Sequence, residues 1–197
     1  MIVCSPDGAR SSEVGCVVRT RLVTIAFLAL VSSSASAQNN YDLIQLFSAD
    51  QEARRATSGE IDWKQVNAKD AERRQAVLAI LEGGGLRTAL DYYNAAMIFQ
   101  HGDSIEDIRL AHSFASVSAA LDDSEAARWL KAATWDRLML KLGQPQWYGT
   151  QFIRDDKGRW VLYEVDRAAV TDEQRTAMSV PSLAESESRA AVMNGDD

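Results

Sequence analysis

Three ionisable side chains occupy positions where the spacing of apolar residues predicts the buried face of a helix. Asp50, His101 and Asp136 each continue an apolar stripe on a different predicted helix, so the three are expected to face one interior. A buried carboxylate without a partner costs several kcal/mol. Each of the three is therefore expected to have a hydrogen-bonding or cationic partner, and all three are candidate catalytic residues.

Two interpretations, one structural and one functional, fit these residues. Arginines at nearby helix positions, namely Arg54, Arg137 and one of the pair at 73–74, are suited to pair with the carboxylates and fix the helix register. In the other interpretation the same groups line a pocket and contact a ligand. His101 or Asp136 would then be a general base oriented by the other carboxylate, as in a hydrolase or lyase.

A second group of polar side chains follows the last of these helices. Gln146, Tyr148, Thr150 and Gln151 place amide, hydroxyl and aromatic groups within a short stretch that contains Gly149. Such groups bind neutral polar ligands by hydrogen bonds and stacking, so these residues join Arg54 and Arg137 as candidate ligand-binding residues. The alternative is a turn whose side chains satisfy the exposed helix end.

The sequence offers no metal or cofactor motif. It has two histidines, and His112 lies beside the main apolar stripe of its helix, which is typical of a partly exposed helix residue rather than a metal ligand. Neither a His-Glu-x-x-His pair nor a Gly-x-Ser-x-Gly elbow, a P-loop or a dinucleotide fingerprint occurs. We expect no metal and no cofactor, and the lack of a nucleophile with its own base favours binding over catalysis.

Helices dominate the elements that must position these groups. Apolar spacing and helix caps predict five helices over approximately residues 41–55, 68–82, 86–101, 104–121 and 125–142. The residues that this spacing places on the inner faces include Ala71, Leu90, Val117, Leu121 and Trp129. Their short connections favour an up-and-down array. Alternating residues at 151–154 and 159–165 then predict a β-hairpin, and Thr171 begins a short helix. The expected fold class is mainly α.

The predicted domain organisation has three parts. Residues 1–37 are expected to be a signal peptide, 38–183 a single helical domain with its hairpin, and 184–197 a disordered tail. The tail consists largely of Ser, Glu, Ala and Asp, which leaves little apolar surface to bury.

The leader has the order of parts that export requires. Arg19 and Arg21 precede an apolar run at 22–31, and small residues at 35–37 supply a cleavage site after Ala37. The run is too short for a permanent membrane anchor. A periplasmic or secreted protein beginning near Gln38 is expected, and it would contain no cysteine, since Cys4 and Cys16 precede the cleavage site. The alternative is a short buried helix.

The charge of the chain narrows the choice of partners. Its formal net charge is −7 at pH 7, and no run of Lys and Arg marks a basic groove. The acidic balance therefore argues against nucleic acid as a partner, because its phosphates require a basic surface. A polar small molecule or a protein of the cell envelope remains as the expected partner.

Several short patterns together resemble an uncharacterised bacterial family. They are Asp50-Gln51-x-x-Arg54, Gln100-His101-x-Asp103, Asp136-Arg137, Gln146-x-Tyr148-Gly149-Thr150-Gln151, and Asp172-x-x-Arg175 before Pro181-x-Leu183. The family is a domain of unknown function, often exported and marked by a Gln-x-Tyr-Gly-Thr-Gln stretch. It often has a Gly-Trp-Pro-like step before the third helix, where this chain has residues 84–86 as Gly-Gly-Leu. The resemblance implies a helical domain with a small β element and brings no known activity.

The sequence thus leaves two functional hypotheses. The first is an exported helical domain that binds a polar ligand or a protein partner. The second is a cell-envelope hydrolase or lyase that uses His101 and Asp136 as its acid–base pair.

Overall fold

The structure, a computed structural model, describes residues 37–55 and 61–196. Within these ranges the elements are α1 (Tyr41–Glu52), α2 (Trp63–Glu82), α3 (Ala89–Phe99), α4 (Ile105–Leu121), α5 (Glu125–Lys141), β1 (Phe152–Arg154), β2 (Trp160–Leu162), α6 (Asp172–Ala177) and α7 (Leu183–Asn194). The predicted mainly α fold, with five helices followed by a hairpin and a short helix, is confirmed.

Each helix of the array begins after a side chain that accepts hydrogen bonds from its first turn. These N-cap residues are Asn40, Asp62, Thr88, Ser104 and Ser124. An N-cap satisfies amide groups that have no partner inside the helix and contributes about 1 kcal/mol. Because Asp62 is such a cap, α2 begins earlier than the apolar spacing alone predicts.

The hydrophobic core lies around α3, which packs against α1, α2, α4 and α5. Ala95, Ala96, Ile98 and Phe99 on this helix are almost completely buried. The two alanines allow neighbouring helices to come close, whereas Ile98 and Phe99 fill space, each contributing about 1.5–3 kcal/mol by burial. Leu43 from α1 completes this centre.

Some apolar residues expected inside lie at the surface. Leu90, Val117, Leu121 and Trp129 are 42%, 39%, 57% and 37% exposed, and Ala71 is also exposed. The reason is visible on α4, which packs between α3 and α5. Three of its five buried residues are small, as close packing against two neighbours requires; these are Ala111, Ala115 and Ser118, and the larger two are Ile108 and Phe114.

The hairpin pairs β1 and β2 in antiparallel fashion, with Ile153 opposite Val161. Its turn is held by Asp155, whose carboxylate accepts hydrogen bonds from the amides of Lys157 and Arg159. A positive φ of 77° is adopted by Gly158, as such a turn requires. The structure therefore confirms the hairpin with a glycine-bearing turn.

The expectation of a disordered tail is wrong, because most of residues 184–197 belong to α7. Ser182 and Glu185 form a capping box at its start, and the helix packs against β2. Asn194 then donates to the carbonyl of Trp160 and accepts from its amide, both at 2.8–2.9 Å. Capping and these two hydrogen bonds order a segment whose apolar content is low.

No helix within residues 37–55 and 61–196 is both long enough and apolar enough to cross a membrane. The charged and apolar parts of the predicted signal peptide lie outside the described residues.

Candidate functional site

Asp50 is fully buried on the last turn of α1. Its carboxylate accepts hydrogen bonds from Arg54 Nη1 at 3.0 Å and from Gln51 Nε2 at 2.9 Å. Arg73 Nε lies farther away, at 3.7 Å. The Arg54 partner follows from the helical spacing of four residues, which places both side chains on one face.

A second buried carboxylate, Asp70 on α2, lies beside the first. It accepts from Arg54 Nη2 and from Arg73 Nη2, both at 2.5 Å. Burial by itself would raise the pKa of Asp70, but the hydrogen bonds and charges of the two arginines outweigh it and lower this pKa. Arg54 therefore bridges two carboxylates and ties the end of α1 to α2.

His101, just after α3, completes this ionic cluster. Its Nδ1 lies 3.1 and 3.2 Å from the two oxygens of Asp50. Since an ionised carboxylate only accepts, we assign the Nδ1 proton to the hydrogen bond with Asp50. Nε2 has no hydrogen-bond partner among the described residues, and 18% of the side chain is exposed. The geometry leaves the lone pair of Nε2 available to water or a ligand.

Arg137 on α5 has no carboxylate partner among the described residues, although one would be expected beside a partly buried guanidinium. Nε donates to Gln151 Oε1 at 3.2 Å, and Nη1 donates to the Gln100 carbonyl at 2.8 Å. Within the described residues no carboxylate lies in ion-pair range of this guanidinium, and Nη2 is neither paired nor sealed from solvent. Burial, followed by the charge of Arg54, lowers the pKa of Arg137.

Asp136 is buried but is not in this cluster, and the expectation that an arginine pairs with it is wrong. Its Oδ1 accepts from the amides of Trp147 and Tyr148, both at 2.9 Å. Its Oδ2 accepts from the Thr150 amide at 3.0 Å and from the Thr150 hydroxyl at 2.8 Å. Because each oxygen already accepts two hydrogen bonds, the carboxylate holds the 146–151 loop and is not free for proton transfer.

The same loop is braced from within by Gln146, which is fully buried. Gln146 Nε2 donates to the carbonyls of Gln151 and Tyr163, and its Oε1 accepts from the Gln151 amide. Gly149 has a φ of 84°, a left-handed conformation that glycine adopts without strain. The Gln-x-Tyr-Gly-Thr-Gln stretch is therefore a loop with a specified backbone conformation.

A chain of hydrogen bonds connects this loop to Arg137. The Thr150 hydroxyl donates to Asp136 and accepts from Gln151 Nε2 at 3.0 Å. Gln151 Oε1 then accepts from Arg137 Nε. Asp136 thus orders the loop, and the loop orients the amide that holds Arg137.

An open cleft of about 460 Å³ lies where these groups meet. Among its lining residues are Arg54, Trp63, Asn67, His101, Arg137 and Gln151. The described lining includes no Ser, Thr, Cys or Tyr side chain. The described part of the cleft therefore offers cationic, carboxylate, amide and imidazole groups but no hydroxyl or thiol nucleophile.

The structure divides the candidate residues into two groups. His101, Arg54, Arg137 and Gln151 line the cleft, and Asp50 contacts the histidine. Four others belong to the loop or its support and do not line the cleft, namely Asp136, Gln146, Tyr148 and Thr150. Tyr148 lines a separate small pocket beside His112, and burial, with the charge of Asp136, raises its pKa.

Sequence reasoning missed two residues that matter for the site. Asp70 completes the ionic cluster, yet its position carries no motif. Arg175 is 3% exposed and donates to the carbonyls of Trp147 and Tyr148, so it supports the loop from α6. The signal for Arg175 was its i,i+3 spacing from Asp172, with which it forms an ion pair.

Comparisons with models of protein families, with curated proteins and with solved structures found no match. Within residues 37–55 and 61–196, no group of three His, Cys, Asp or Glu side chains is placed to hold a metal ion.

Proposed function

We propose that the protein is an exported binding domain whose cleft holds a small polar ligand. The cleft lies between the ends of α1, α3 and α5, the first half of α2 and the start of β1. The single observation that carries the proposal is Arg137, a partly buried guanidinium held in place by two neutral acceptors. An arginine fixed in this way, with Nη2 open, provides a preorganised donor for a ligand.

The neighbouring residues support a binding role. Arg54 and Asp70 are held by ion pairs, so the cleft wall does not have to rearrange when a ligand enters. Trp63 is 54% exposed and adds an aromatic surface. A cleft with polar groups and one exposed aromatic side chain is typical of small-molecule sites. We prefer a small ligand to a protein partner because the unpaired donor lies in a concave site.

A thermal-shift screen of small polar molecules tests this proposal. A ligand present at 100 times its Kd stabilises the folded state by about 2.7 kcal/mol, which raises Tm by about 5–10 °C. Asn67→Trp is the control, because Asn67 is an exposed residue of the cleft wall and an indole there would fill the cleft. A compound that stabilises both proteins equally would bind elsewhere and would count against the proposal.

A second candidate function is a cell-envelope hydrolase or lyase, favoured by the contact between His101 and Asp50. A carboxylate on Nδ1 holds the imidazole with Nε2 toward the cleft, which suits a general base that activates water. The pair would be His101 and Asp50, not His101 and Asp136. Loss of hydrolysis of a p-nitrophenyl ester in His101→Gln, with unchanged Tm, would support it. Equal rates of ester hydrolysis in the variant and the parent would contradict this second function.

The location of the protein remains part of the proposal. The order of Arg19, the apolar run at 22–31 and the small residues before Gln38 supports export to the periplasm or the medium. The resemblance to an often-exported bacterial family agrees with this location.

A further inference from the structure

We infer that the ligand of this cleft is an amphipathic organic anion, whose carboxylate or phosphate group pairs with Arg137 while its apolar body lies against Trp63. The inference rests on the proposed function, since it specifies the ligand class for the same cleft.

The balance of charge favours an anion. Arg54, Arg137 and Lys141 line the cleft, and Arg73 lies behind it. These four cations face three carboxylates, which are Asp50, Asp70 and Asp103. The cleft is therefore locally positive in a protein whose net charge is −7, even when His101 is neutral. A local charge opposite to that of the whole molecule selects anions over cations.

The distribution of ion pairs locates the binding point. Arg54 and Arg73 already have carboxylate partners, so their charge is largely used within the protein. Arg137 has only neutral partners among the described residues. Its open Nη2 and its planar guanidinium suit the oxygens of a carboxylate or a phosphate. An anion there would also relieve the repulsion between Arg137 and Arg54.

Apolar surface in the cleft indicates the rest of the ligand. Trp63 and Ile153 are 54% and 37% exposed, and both line the cleft with Leu140 and Phe152. Large apolar side chains exposed together near a charged group mark a place for an apolar ligand body. A free inorganic ion would leave this surface in water.

A set of six-carbon probes tests the inference by ¹H–¹⁵N NMR titration of the uniformly labelled protein. Hexanoate and hexyl phosphate carry the anionic groups, hexanol is the neutral probe, and hexylammonium is the cationic probe. The expected result is shifts of the Trp63 indole and Arg137 signals with at least one anion, at concentrations where hexanol and hexylammonium give none. Comparison of the two anions shows which oxyanion the site prefers.

Variants test whether anion binding depends on the positive charge of Arg137 and not only on an intact fold. Arg137→Gln should weaken anion binding by about 10- to 100-fold, because a charge-assisted pair is lost. Arg109→Gln makes the same charge change on an exposed part of α4 that does not line the cleft, and should leave binding unchanged. Should Arg137→Gln not fold, Lys141→Gln replaces an exposed cleft cation and should weaken anion binding by about two- to fivefold, whereas unchanged binding would overturn the anion assignment.

The outcomes distinguish a failure of the anion assignment from a failure of the proposal that the cleft binds a ligand. Hexanol or hexylammonium binding as tightly as the anions, and blocked by Asn67→Trp, overturns the anion assignment while the cleft remains a binding site. Anion binding that is unchanged in Arg137→Gln also overturns the anion assignment. No binding of any probe, or binding unaffected by Asn67→Trp, overturns both.

Discussion

Asp136→Asn provides the sharpest test of how the loop at 146–151 is held. The carboxylate accepts four hydrogen bonds, and the amides of Trp147 and Tyr148 donate to one oxygen while the amide and hydroxyl of Thr150 donate to the other. Asparagine keeps one accepting oxygen and places an NH₂ group at the second position. The Thr150 hydroxyl can rotate to accept from that group, but the Thr150 amide then loses its acceptor.

The magnitude follows from these contacts. Hydrogen bonds to a charged acceptor contribute about 1 kcal/mol more than neutral ones, so the two bonds at the retained oxygen lose about 2 kcal/mol together. The unpaired amide of Thr150 adds about 1–3 kcal/mol. The expected destabilisation is therefore about 3–5 kcal/mol. Breaking a buried ion pair would also destabilise a protein by about 3–5 kcal/mol. The measured free energy is therefore interpreted together with the hydrogen bonds that the variant loses.

Urea denaturation of the parent and the variant measures this difference, provided the m-values agree. Asp123→Asn is the matched control, because Asp123 is 79% exposed and pairs with Arg128 at the surface. That change should alter stability by no more than about 0.5 kcal/mol. Destabilisation of Asp136→Asn by less than about 1 kcal/mol would refute the conclusion that this carboxylate organises the loop. In the variant we also expect the NMR signals of Gln151 and Arg137 to shift, since they complete the same hydrogen-bond chain.

Three further predictions follow from individual residues. Gly149→Ala should destabilise the protein by about 1–2 kcal/mol in a urea melt, because alanine is strained at a φ of 84°; a neutral effect would contradict the left-handed conformation. Burial lowers the pKa of His112 below 6.5, so the unfolded state binds the proton more readily and stability falls as pH decreases through 6.5. His112→Gln should flatten that part of the pH–stability curve, and an unchanged slope would assign it to other groups. N-terminal sequencing of the protein recovered outside the cytoplasm should begin at Gln38, whereas recovery of an intact Met1 or Arg19 end in the cytoplasm would argue against export.

The fold could be predicted from the sequence because its signals are local. Helix caps such as Ser104 and the spacing of apolar residues report on neighbours within one or two turns, and the hairpin turn needs Gly158. Which side of a helix packs most tightly depends on its neighbours in the fold, so local signals do not reveal it. Val117 and Leu121 were therefore expected inside, although smaller residues of α4 occupy the space between its neighbours. The tail was missed because its composition is largely polar, whereas α7 is ordered by its capping box, by packing against β2 and by Asn194 at the hairpin edge.

The site was predictable only in part. The buried positions of Asp50 and Asp136 follow from helix periodicity, and the pair of Asp50 with Arg54 follows from their spacing. Contacts between distant segments could not be predicted, such as that of Asp50 with His101, 51 residues away. The partners of Asp136 could not be predicted for a different reason. Three of its four donors are backbone amides, which every residue except proline carries, so no residue type reveals them.

Native mass spectrometry of the protein, isolated without dialysis from the cells that produce it, tests the central claim most directly. A small-molecule ligand in the cleft predicts a mass above that of the polypeptide, which disappears under denaturing conditions and is absent from Asn67→Trp. The anion assignment further predicts that the released compound is detected in negative-ion mode and that Arg137→Gln carries less of it. A bound compound that Asn67→Trp retains in full, or a parent protein with the mass of its polypeptide alone, would contradict the claim.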